Sequence, residues 1–545
     1  MGFLQDAPQL AHPYRDDRLL TALLDRCLPI ERRAALDADL DALGDYALLA
    51  WHRACASTRH KPILTQWDAW GRRVDRIELT TAWQEGPQLT TRHAVLAAGH
   101  ESHPCARLEE FARVYLYHLA SEFYTCPLAM TDGAATALKA SGNRALIDRA
   151  LPHFLSRDPA TFWLSGQWMT ETPGGSDVGN TETMARRDTD GQWRLYGRKW
   201  FSSAVVGEAA LALARPEGGD SGAAALALFY VETMNGQQRK PQLTIDRLKD
   251  KLGTHELPTA EIHLDGLPAW PVGELAHGVR QVAPMLNVTR SWNAICAVAS
   301  MARAIHLARD YARRRQAFGK SLAEQPLHAH TLAGMQAEFE GAFALAFEVA
   351  HLLGRVEHDD ATPQEAALLR LLTPLAKLWT GKLAVKLCSE AMECFGGAGY
   401  IEDTGLPQLL RDAQVYAIWE GTTNVLSLDS LRALTGKAPT ALQEVFDHWL
   451  ADNDDMHAAS AIHHVLDAAM HWLDTHGQQR DTLEAGARGL AFTLARCAAA
   501  ALLARQAAWS KQRGDMRPGA ALRRFVIHGL DRLASPNITD TTLLL

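Results

Sequence analysis

The chain has 545 residues, of which 47% are hydrophobic and 22% are charged, and its formal net charge is −8. These values are typical of a globular protein with several domains, and they exclude collagen-like, coiled-coil and largely disordered chains. The net negative charge gives no general attraction for nucleic acids or anionic membranes, so a polyanion could bind only at a local basic patch.

The cysteines, the histidines and the N-terminus indicate no disulfide framework, metal site or targeting segment. Eight cysteines are scattered without a C-x-x-C pair, and His328, His330, His463 and His464 have no ligand spacing. The start MGFLQDAPQL lacks the regions of a signal peptide, and we find no run of about eighteen apolar residues. We therefore expect a cytoplasmic protein with reduced thiols, no metal and no membrane span.

Hydrophobic periodicity divides the chain into four predicted domains. Residues 1–160 carry apolar positions at helical spacing, as in EFARVYLYHLASEFY, and predict an N-terminal helical domain. Residues 161–275 carry short alternating runs punctuated by Gly and Pro, as in QWRLYGRKWFSSA, and predict a β domain. Long amphipathic segments return over residues 276–436, which is typical of a helical bundle. Residues 437–545 predict a further, C-terminal helical domain.

Several short stretches have the composition of a ligand site, although each taken alone is more often ordinary structure. QWMTETPGGSDVGN combines hydroxyls with Gly backbone N–H groups, which a phosphate-bearing ligand requires, but loops share this composition. FGGAGY follows a helical stretch and alone would be a helix stop. Trp200 in GRKWFSSA could equally be a core residue of a strand. Glu420 in IWEGTTN is a turn residue, a helix cap or a buried group kept for proton chemistry.

Six motifs in this order along one chain are far more specific than any one of them. They are MTETPGGSD, GRKWFSS, DRLKDKLG, R-x-x-F-G at Arg315 to Gly319, ECFGGAGY and IWEGTTN. Together they resemble the flavin-dependent acyl-CoA dehydrogenase family over residues 122–434. The resemblance implies a mainly α fold with a helical domain, a middle β barrel and a helical bundle, which is the order that the periodicity predicts.

The same resemblance implies two sets of contacts to FAD, and its AidB branch, described below, implies a homotetramer. The first set contacts the flavin ring and the pyrophosphate within one chain: Met169, Thr170, Ser176, Trp200 and Ser202. The second set reaches the adenine and diphosphate half of FAD in a neighbouring subunit: Arg315, Phe318, Glu393 and Gly397. Thr422 and Asn424 are implied to lie beside the same FAD. Such a site would need more than one subunit.

Glu420 matches the catalytic base of the family, and Arg290 matches a basic residue near the active site. Dehydrogenation of an acyl-CoA requires a base for the α proton and a hydride acceptor for the β carbon, and flavin N5 supplies the acceptor. A carboxylate with an ordinary pKa of about 4 is a weak base for this proton. We therefore expect a dry, apolar environment that raises the pKa of Glu420, and its neighbours Ile418 and Trp419 suit that environment.

The long C-terminal region and Trp419 resemble the AidB branch of the family. That branch implies a role in the adaptive response to DNA alkylation and binding of double-stranded DNA through the C-terminal helices. The matching cations are Arg505, Lys511, Arg513, Arg517, Arg523 and Arg524. Cations on one helix face would meet phosphates without reading sequence, but such a run is most often a solvated face.

Two alternatives remain for the activity, and two motif positions depart from the family. The chain could be a metabolic acyl-CoA dehydrogenase whose extra domain only builds the oligomer, or a flavoprotein without enzymatic activity. His255 and Leu257 stand where the family usually has Arg and Ser. The family Gln after R-x-x-F-G is shifted, with Gln325 one residue early and Pro326 at the expected place. The sequence predicts neither the acyl chain nor the electron acceptor.

Overall fold

The computed structural model describes residues 6–56, 60–236, 238–434, 438–534 and 538–545. The chain forms two compact units that alternate along the sequence. The helical unit comprises Met1–Cys55, Ser102–Leu116 and Asn293–Leu545. The barrel unit comprises Ala56–Glu101 and Tyr117–Trp292.

The helices and strands follow the predicted order of helical, β and helical regions. The helices are α1 Arg18–Cys27, α2 Ile30–Ala56, α3 Thr81–Arg92, α4 Ala106–Tyr117, α5 Thr125–Ser141, α6 Arg144–Phe154, α7 Gly278–Arg314, α8 Pro326–Glu357, α9 Pro363–Cys394, α10 Leu406–Ala413, α11 Thr423–Ala433, α12 Ala438–Leu450, α13 Met456–His476, α14 Arg480–Lys511, α15 Arg517–Ile527 and α16 Ile538–Leu544. The strands are β1 Ile63–Trp67, β2 Arg73–Glu78, β3 Ser165–Trp168, β4 Met184–Arg187, β5 Trp193–Ser202, β6 Ala209–Pro216, β7 Ala227–Glu232, β8 Met234–Asn235, β9 Gln238–Arg239, β10 Leu243–Leu248, β11 Ala260–Pro271, β12 Gln316–Ala317 and β13 Lys320–Ser321. The predicted mainly helical fold with a central β barrel and a C-terminal helical region is confirmed.

The barrel unit contains a closed ring of five strands in the order β11, β5, β4, β6 and β7, with β7 returning to β11. Closure removes the free strand edges of these five strands. Strand β3 pairs parallel to β6, and β10 pairs antiparallel to β11. Alternate residues of the strands face inward, where Leu195, Phe229 and Ile262 are fully buried. Helices α3, α5 and α6 belong to the same unit.

The region predicted to be helical up to residue 160 also contains a β-hairpin, formed by β1 and β2. The hairpin is held on β10, because Arg73 donates to the carbonyl oxygen of Ile245 at 2.7 Å. The backbone N–H of Ile245 in turn donates to Asp75 at 2.9 Å. Contacts with a strand so distant in sequence stabilise this hairpin, so local periodicity did not reveal it.

In the helical unit, the C-terminal helices pack against α8 at two glycines. A Cβ atom on Gly341 would lie 2.9 Å from the ring of Phe525, and one on Gly334 would lie 3.3 Å from the ring of His528. Both ring residues belong to α15 or the turn after it. The absence of a side chain on α8 therefore allows the close approach of α15.

Helix α14 forms the centre of the C-terminal region. Among the described helices, it alone has the length and apolar composition needed to cross a membrane, but 83% of its most apolar stretch is buried inside the protein. Its alanines and leucines contact α8, α11, α13 and α15. A core helix of a globular protein has the same composition.

Candidate active site

The MTETPGGSD motif forms a loop after β3 that is fastened to β5. The backbone N–H of Trp200 donates to the carbonyl oxygen of Thr170 at 3.0 Å. Glu171 and Gly174 exchange two backbone hydrogen bonds of 3.2 Å, which close a tight turn. A Cβ atom on Gly174 would lie 2.4 Å from the carbonyl oxygen of Asp177, so only glycine fits there. The turn exposes Ser176 at its tip.

A buried ion pair that the sequence analysis missed anchors this loop. Lys199 donates to the carboxylate of Glu171 at 2.5 Å and to the carbonyl oxygen of Leu213 at 2.7 Å. Glu171 also accepts from Thr183 Oγ1 at 2.6 Å, so its charge is well satisfied. Burial lowers the pKa of Lys199, and Glu171 opposes this effect. Glu171 lies in the MTETPGGSD motif and Lys199 in the GRKWFSS motif. The presence of opposite charges in two motifs of one site was the sequence feature that could have indicated this pair.

The loop and β5 together present groups that suit a flat ring with polar edges and attached phosphates. Ser202 is fully buried, and its Oγ has no hydrogen-bond partner among the described residues. A buried hydroxyl without a partner indicates a ligand or water that completes it. Met169 is buried, and Trp200 is half-buried with Lys249 Nζ 3.4 Å from its ring centroid. The predicted flavin residues of the barrel unit thus fit FAD chemically.

Glu420 lies in a strained turn between a 3-10 turn, Gln414–Ala417, and α11. Its backbone φ is +58°, and Gly421 follows with φ +102°. A left-handed conformation at a residue other than glycine costs about 1 kcal/mol or more and requires support from its surroundings. Glu420 thus lies in the turn before α11, whose N-cap is the exposed Thr422.

Helix α9 supplies that support. Lys377 is fully buried and donates to the carbonyl oxygen of Gly421 at 2.5 Å. A Cβ atom on Gly381 would lie 2.7 Å from the carbonyl oxygen of Tyr416, so α9 approaches the turn closely. The hydroxyl of Tyr416 is hydrogen-bonded to Ser300 at 2.8 Å. The backbone on both sides of Glu420 is therefore fixed by buried groups that sequence analysis did not predict.

The surroundings of Glu420 are less apolar than the sequence suggested. Glu420 is half-buried, and Ile418 is 62% exposed. Ile418 therefore does not shield the carboxylate within a single chain. Asn424, a predicted FAD contact on the next helix turn, accepts a hydrogen bond from Arg488 of α14 at 3.0 Å. No sequence motif pointed to Arg488.

The residues predicted to reach a neighbouring subunit lie at the ends of α7 and α9. Phe318 forms the tip of the β12–β13 hairpin with φ +52° and is 98% exposed. Gln325 donates to the carbonyl oxygen of Ala317 at 3.0 Å, so the shifted glutamine closes this hairpin. The rings of Tyr311 and Phe395 lie 4.4 Å apart and join the two helix ends.

The other predicted positions of this group are Glu393 and Gly397, which are exposed at the end of α9, and Arg315, which is half-buried after α7. Arg290, which was predicted to lie near the active site, is half-buried on the first half of α7 in the barrel unit. A Cβ atom on Gly397 would meet nothing within 4 Å. The end of α9 is thus open to a partner molecule. None of these positions belongs to a group of His, Cys, Asp and Glu that could hold a metal ion, and we find no such group among the described residues.

The unusual THELPT segment is a packed loop. Leu257 is 2% exposed, and His255 Nε2 donates to the carbonyl oxygen of Lys251 at 2.8 Å. Lys251 Nζ donates to the carbonyl oxygens of Thr254 and Leu257 at 2.7 and 2.8 Å. The two departures from the family pattern therefore serve the closure of this loop around Lys251.

The six cations predicted to bind DNA differ in exposure and in the groups that they contact. Arg505 is only 24% exposed and is paired with Glu348 of α8. Lys511 is paired with Asp454, and Arg517 with Asp515 at 2.8 Å. The others contact neutral or distant groups: Arg513 stacks on Trp509 at 3.8 Å, Arg523 lies 3.8 Å from Asp455, and Arg524 donates to the carbonyl oxygen of His330 at 2.7 Å.

Four family descriptions match consecutive parts of the chain. The adaptive response protein AidB N-terminal domain matches residues 7–158, and the acyl-CoA dehydrogenase middle domain matches residues 166–267. The acyl-CoA dehydrogenase C-terminal domain matches residues 276–435. The acyl-CoA dehydrogenase 11 C-terminal domain-like family matches residues 450–529.

Individual proteins with these domains are also similar to this chain. Acyl-CoA dehydrogenase family member 11 of Caenorhabditis elegans is 40% identical over 525 residues, which cover 92% of this chain and 85% of that protein. Putative acyl-CoA dehydrogenase AidB of Escherichia coli is 35% identical over 387 residues, covering 69% of this chain and 70% of AidB. The crystal structure of C. elegans ACDH-11 in complex with C11-CoA superposes with a TM-score of 0.94 at 37% identity, over 100% of this chain and 96% of that one. The chain therefore belongs to the acyl-CoA dehydrogenase family of oxidoreductases and carries an AidB-type N-terminal domain.

Proposed function

We propose that the protein oxidises acyl-CoA thioesters with FAD as its cofactor and Glu420 as the proton acceptor. The observation that carries this proposal is the left-handed backbone of Glu420, which Lys377 and the close approach at Gly381 support. Positive φ also occurs at other turns of this chain, such as Asp359, but at Glu420 a fully buried lysine additionally holds the next carbonyl oxygen. Strain that buried groups maintain at one carboxylate is typical of a functional site.

The cofactor is held by the loop and strand of the barrel unit. Thr170, Ser176 and the backbone around Gly174 suit the pyrophosphate, and Trp200 and Ser202 suit the ring. The partnerless, buried Oγ of Ser202 supports this assignment, because a ring carbonyl or nitrogen would satisfy it. When bound, FAD supplies the acceptor for the hydride from the β carbon.

The residues of the chain then perform the proton chemistry. The Glu420 carboxylate accepts the α proton of the thioester, and its fixed backbone limits the positions that this carboxylate can take. We assign to Arg290 the role of a charged group that orients the substrate. Ile418 is open to solvent in the single chain, so bound acyl-CoA itself would exclude water from Glu420.

The substrate class that we propose is an acyl-CoA with a chain of medium length. The support is the C. elegans relative whose crystal structure contains C11-CoA, because its similarity extends over the whole of this chain. A homo-oligomer, with the tetramer as the expected form, would complete the FAD sites. Phe318, Tyr400 and Ile401 are 98%, 81% and 52% exposed, and large apolar side chains so exposed favour burial against a second subunit.

A DNA-associated role remains a prediction that we place second. The E. coli AidB match supports it but covers 69% of the chain, whereas the C-terminal region matches a domain named for acyl-CoA dehydrogenase 11. Arg505, Lys511 and Arg517 are also paired with acids, so they are poorly placed to bind phosphates. A salt titration of duplex binding would support this role if affinity fell steeply with ionic strength.

Anaerobic titration of the purified flavoprotein tests the proposed activity. Butyryl-, undecanoyl- and palmitoyl-CoA are added in turn, and we expect undecanoyl-CoA to bleach the flavin fastest. Glu420→Gln should keep its FAD but slow bleaching by about 10²-fold or more, since it lacks the base. The control Glu78→Gln changes an exposed glutamate of β2 that lies 3.8 Å from Arg76 and should leave the rate unchanged. Bleaching by none of the three substrates would refute the proposed activity, and a normal rate in E420Q would refute the role of Glu420.

A further inference from the structure

A cavity of about 840 Å³ lies in the helical unit, and its lining includes none of the residues assigned above to FAD or to the base. It is bounded by the last turns of α7, the first half of α8, helix α15 and residues 16–19. Its volume lies within the range of small-molecule sites, roughly 300–1,000 Å³. Helix α15 belongs to the C-terminal region, so that region completes the cavity.

The cavity is lined by twice as many arginines as acids. The arginines are Arg18, Arg309, Arg313, Arg517, Arg523 and Arg524, and the acids are Asp16, Asp17 and Glu340. The acids are already engaged. Asp17 accepts from the backbone of α1 and from the Tyr115 hydroxyl, and Glu340 is paired with Arg18. Arg517 and Arg523 also lie beside Asp515 and Asp455, which are outside the lining, so the positive charge without a carboxylate partner comes from the other arginines.

Three of these arginines contact no carboxylate among the described residues. Arg313 is exposed, and Arg309 donates only to the neutral amide of Gln336 at 3.3 Å. Arg524 donates to the carbonyl oxygen of His330 at 2.7 Å, and its Nε is buried without a partner. Burial lowers the pKa of Arg309, and the neighbouring charges of Arg313 and Arg18 lower it further. Cations crowded together in this way favour binding of an anion.

Alanines form part of the wall between the arginines, beside larger apolar residues and polar side chains: Leu19, Leu332, Phe339, Ile527, His306, His330, His528 and Gln336. Ala329, Ala333 and Ala337 follow one face of α8, and Ala520 and Ala521 face the cavity from α15. Alanines leave space that larger side chains would fill, and they suit a flat or apolar part of a ligand. Guanidinium groups bind phosphate oxygens through paired N–H donors. The cavity thus combines phosphate donors with an apolar wall.

We propose that this cavity binds a small organic molecule that carries two or more linked phosphates and is about the size of a nucleoside diphosphate. Arg309, Arg313 and Arg524 bind the phosphates, and the alanine wall contacts the base or another flat group. The proposal is independent of the acyl-CoA activity, because the cavity shares no residue with that site. It also gives the C-terminal region a ligand, since α15 contributes three of the six arginines.

Isothermal titration calorimetry on the FAD-saturated protein tests the proposal, with ADP, inorganic pyrophosphate and a short DNA duplex as probes. We expect ADP to bind, pyrophosphate to bind more weakly and the duplex not to compete. Arg313→Ala and Arg524→Gln should each weaken ADP binding by about tenfold. The control Arg480→Ala changes an exposed arginine of the same region that is paired with Glu484, and should leave ADP affinity unchanged.

Arg313 is exposed, so its variant tests binding without disturbing the core. Failure of both ADP and pyrophosphate to bind at millimolar concentration would overturn the proposal. So would ADP affinity that neither variant changes. Displacement of ADP by excess FAD or acyl-CoA would place it in the flavin or substrate site instead. Duplex binding that R313A and R524Q both weaken, with no binding of ADP, would make the cavity part of a nucleic-acid surface.

Discussion

Helices α14 and α15 both direct arginines at α8, but the two sets meet different partners there. Arg496 of α14 forms two bonds of 2.7 and 2.9 Å with Glu338, and Arg505 is paired with Glu348. Arg524 of α15 instead meets the carbonyl oxygen of His330. Arginines that are paired with a carboxylate of α8 therefore stabilise the fold, whereas an arginine without such a partner remains available to bind an anion. Counting charges along the sequence does not distinguish these two roles.

The largest effect should come from breaking the pair on α14 that is most deeply buried. Arg496 and Glu338 are 5% and 9% exposed, and Arg496→Leu would leave the carboxylate buried without its main partner. We expect a loss of about 3–5 kcal/mol, measured as a lower thermal midpoint of the flavoprotein. The double variant R496L/E338L should recover part of that loss. A midpoint equal to that of the wild type would contradict the structural role of the α14 arginines.

The next effect compares one arginine from each helix under the same substitution. Arg505→Gln leaves Glu348, which is 6% exposed, without its cation and should cost about 2–3 kcal/mol. Arg524→Gln removes bonds to a carbonyl oxygen and should cost about 1 kcal/mol or less. Urea unfolding of both variants measures the difference. Equal losses in the free energy of unfolding would mean that pairing with a carboxylate of α8 does not distinguish the arginines of α14 from those of α15.

Acid should weaken the α14 contacts. Burial opposes ionisation of Glu338 and Glu348, but their arginine partners outweigh it and lower the pKa of both carboxyls. Their stabilisation is therefore complete above the unfolded glutamate pKa of about 4.3 and is lost as the pH falls through the lower folded values. Each unit of pKa difference contributes about 1.4 kcal/mol. Hydrogen exchange of α14 from pH 6 to pH 3 should show this loss, and R496L should flatten the profile.

The smallest effect should come from the exposed pair of Arg480 and Glu484 at the start of α14. Their side chains are 87% and 44% exposed, so water and salt screen the 2.8 Å contact. Arg480→Ala should leave the thermal midpoint unchanged. A clear loss would show that helix position, rather than burial of the partner, decides the value of these arginines.

The sequence predicted those features whose determinants lie close together in the chain. The flavin loop and the turn at Glu420 each occupy one short motif, and the order of the motifs along the chain, rather than any one of them, indicated their roles. The alternation of apolar residues likewise predicted the strands of the barrel. These features depend on local conformation and on periodicity, which a single sequence contains.

Features that depend on distant residues could not be predicted. Lys377 and Gly381 support Glu420 from about forty positions away, and nothing in their own stretch of helix marks them. Arg496 and Glu338 are separated by 158 positions. The hairpin β1–β2 was missed because its contacts to β10 are equally remote. Packing decides which groups meet, and one sequence does not show which helices pack together.

The C-terminal region also limits the size of the residues at two positions of α8, which lie in the core of the protein. A side chain at Gly341 would collide with the ring of Phe525, and one at Gly334 would press against the ring of His528. A family member that lacks the C-terminal helices has no such collision and is free to carry larger residues at both positions. Residue size at these two sites should therefore indicate, from a fragment of α8 alone, whether a related gene encodes the additional region.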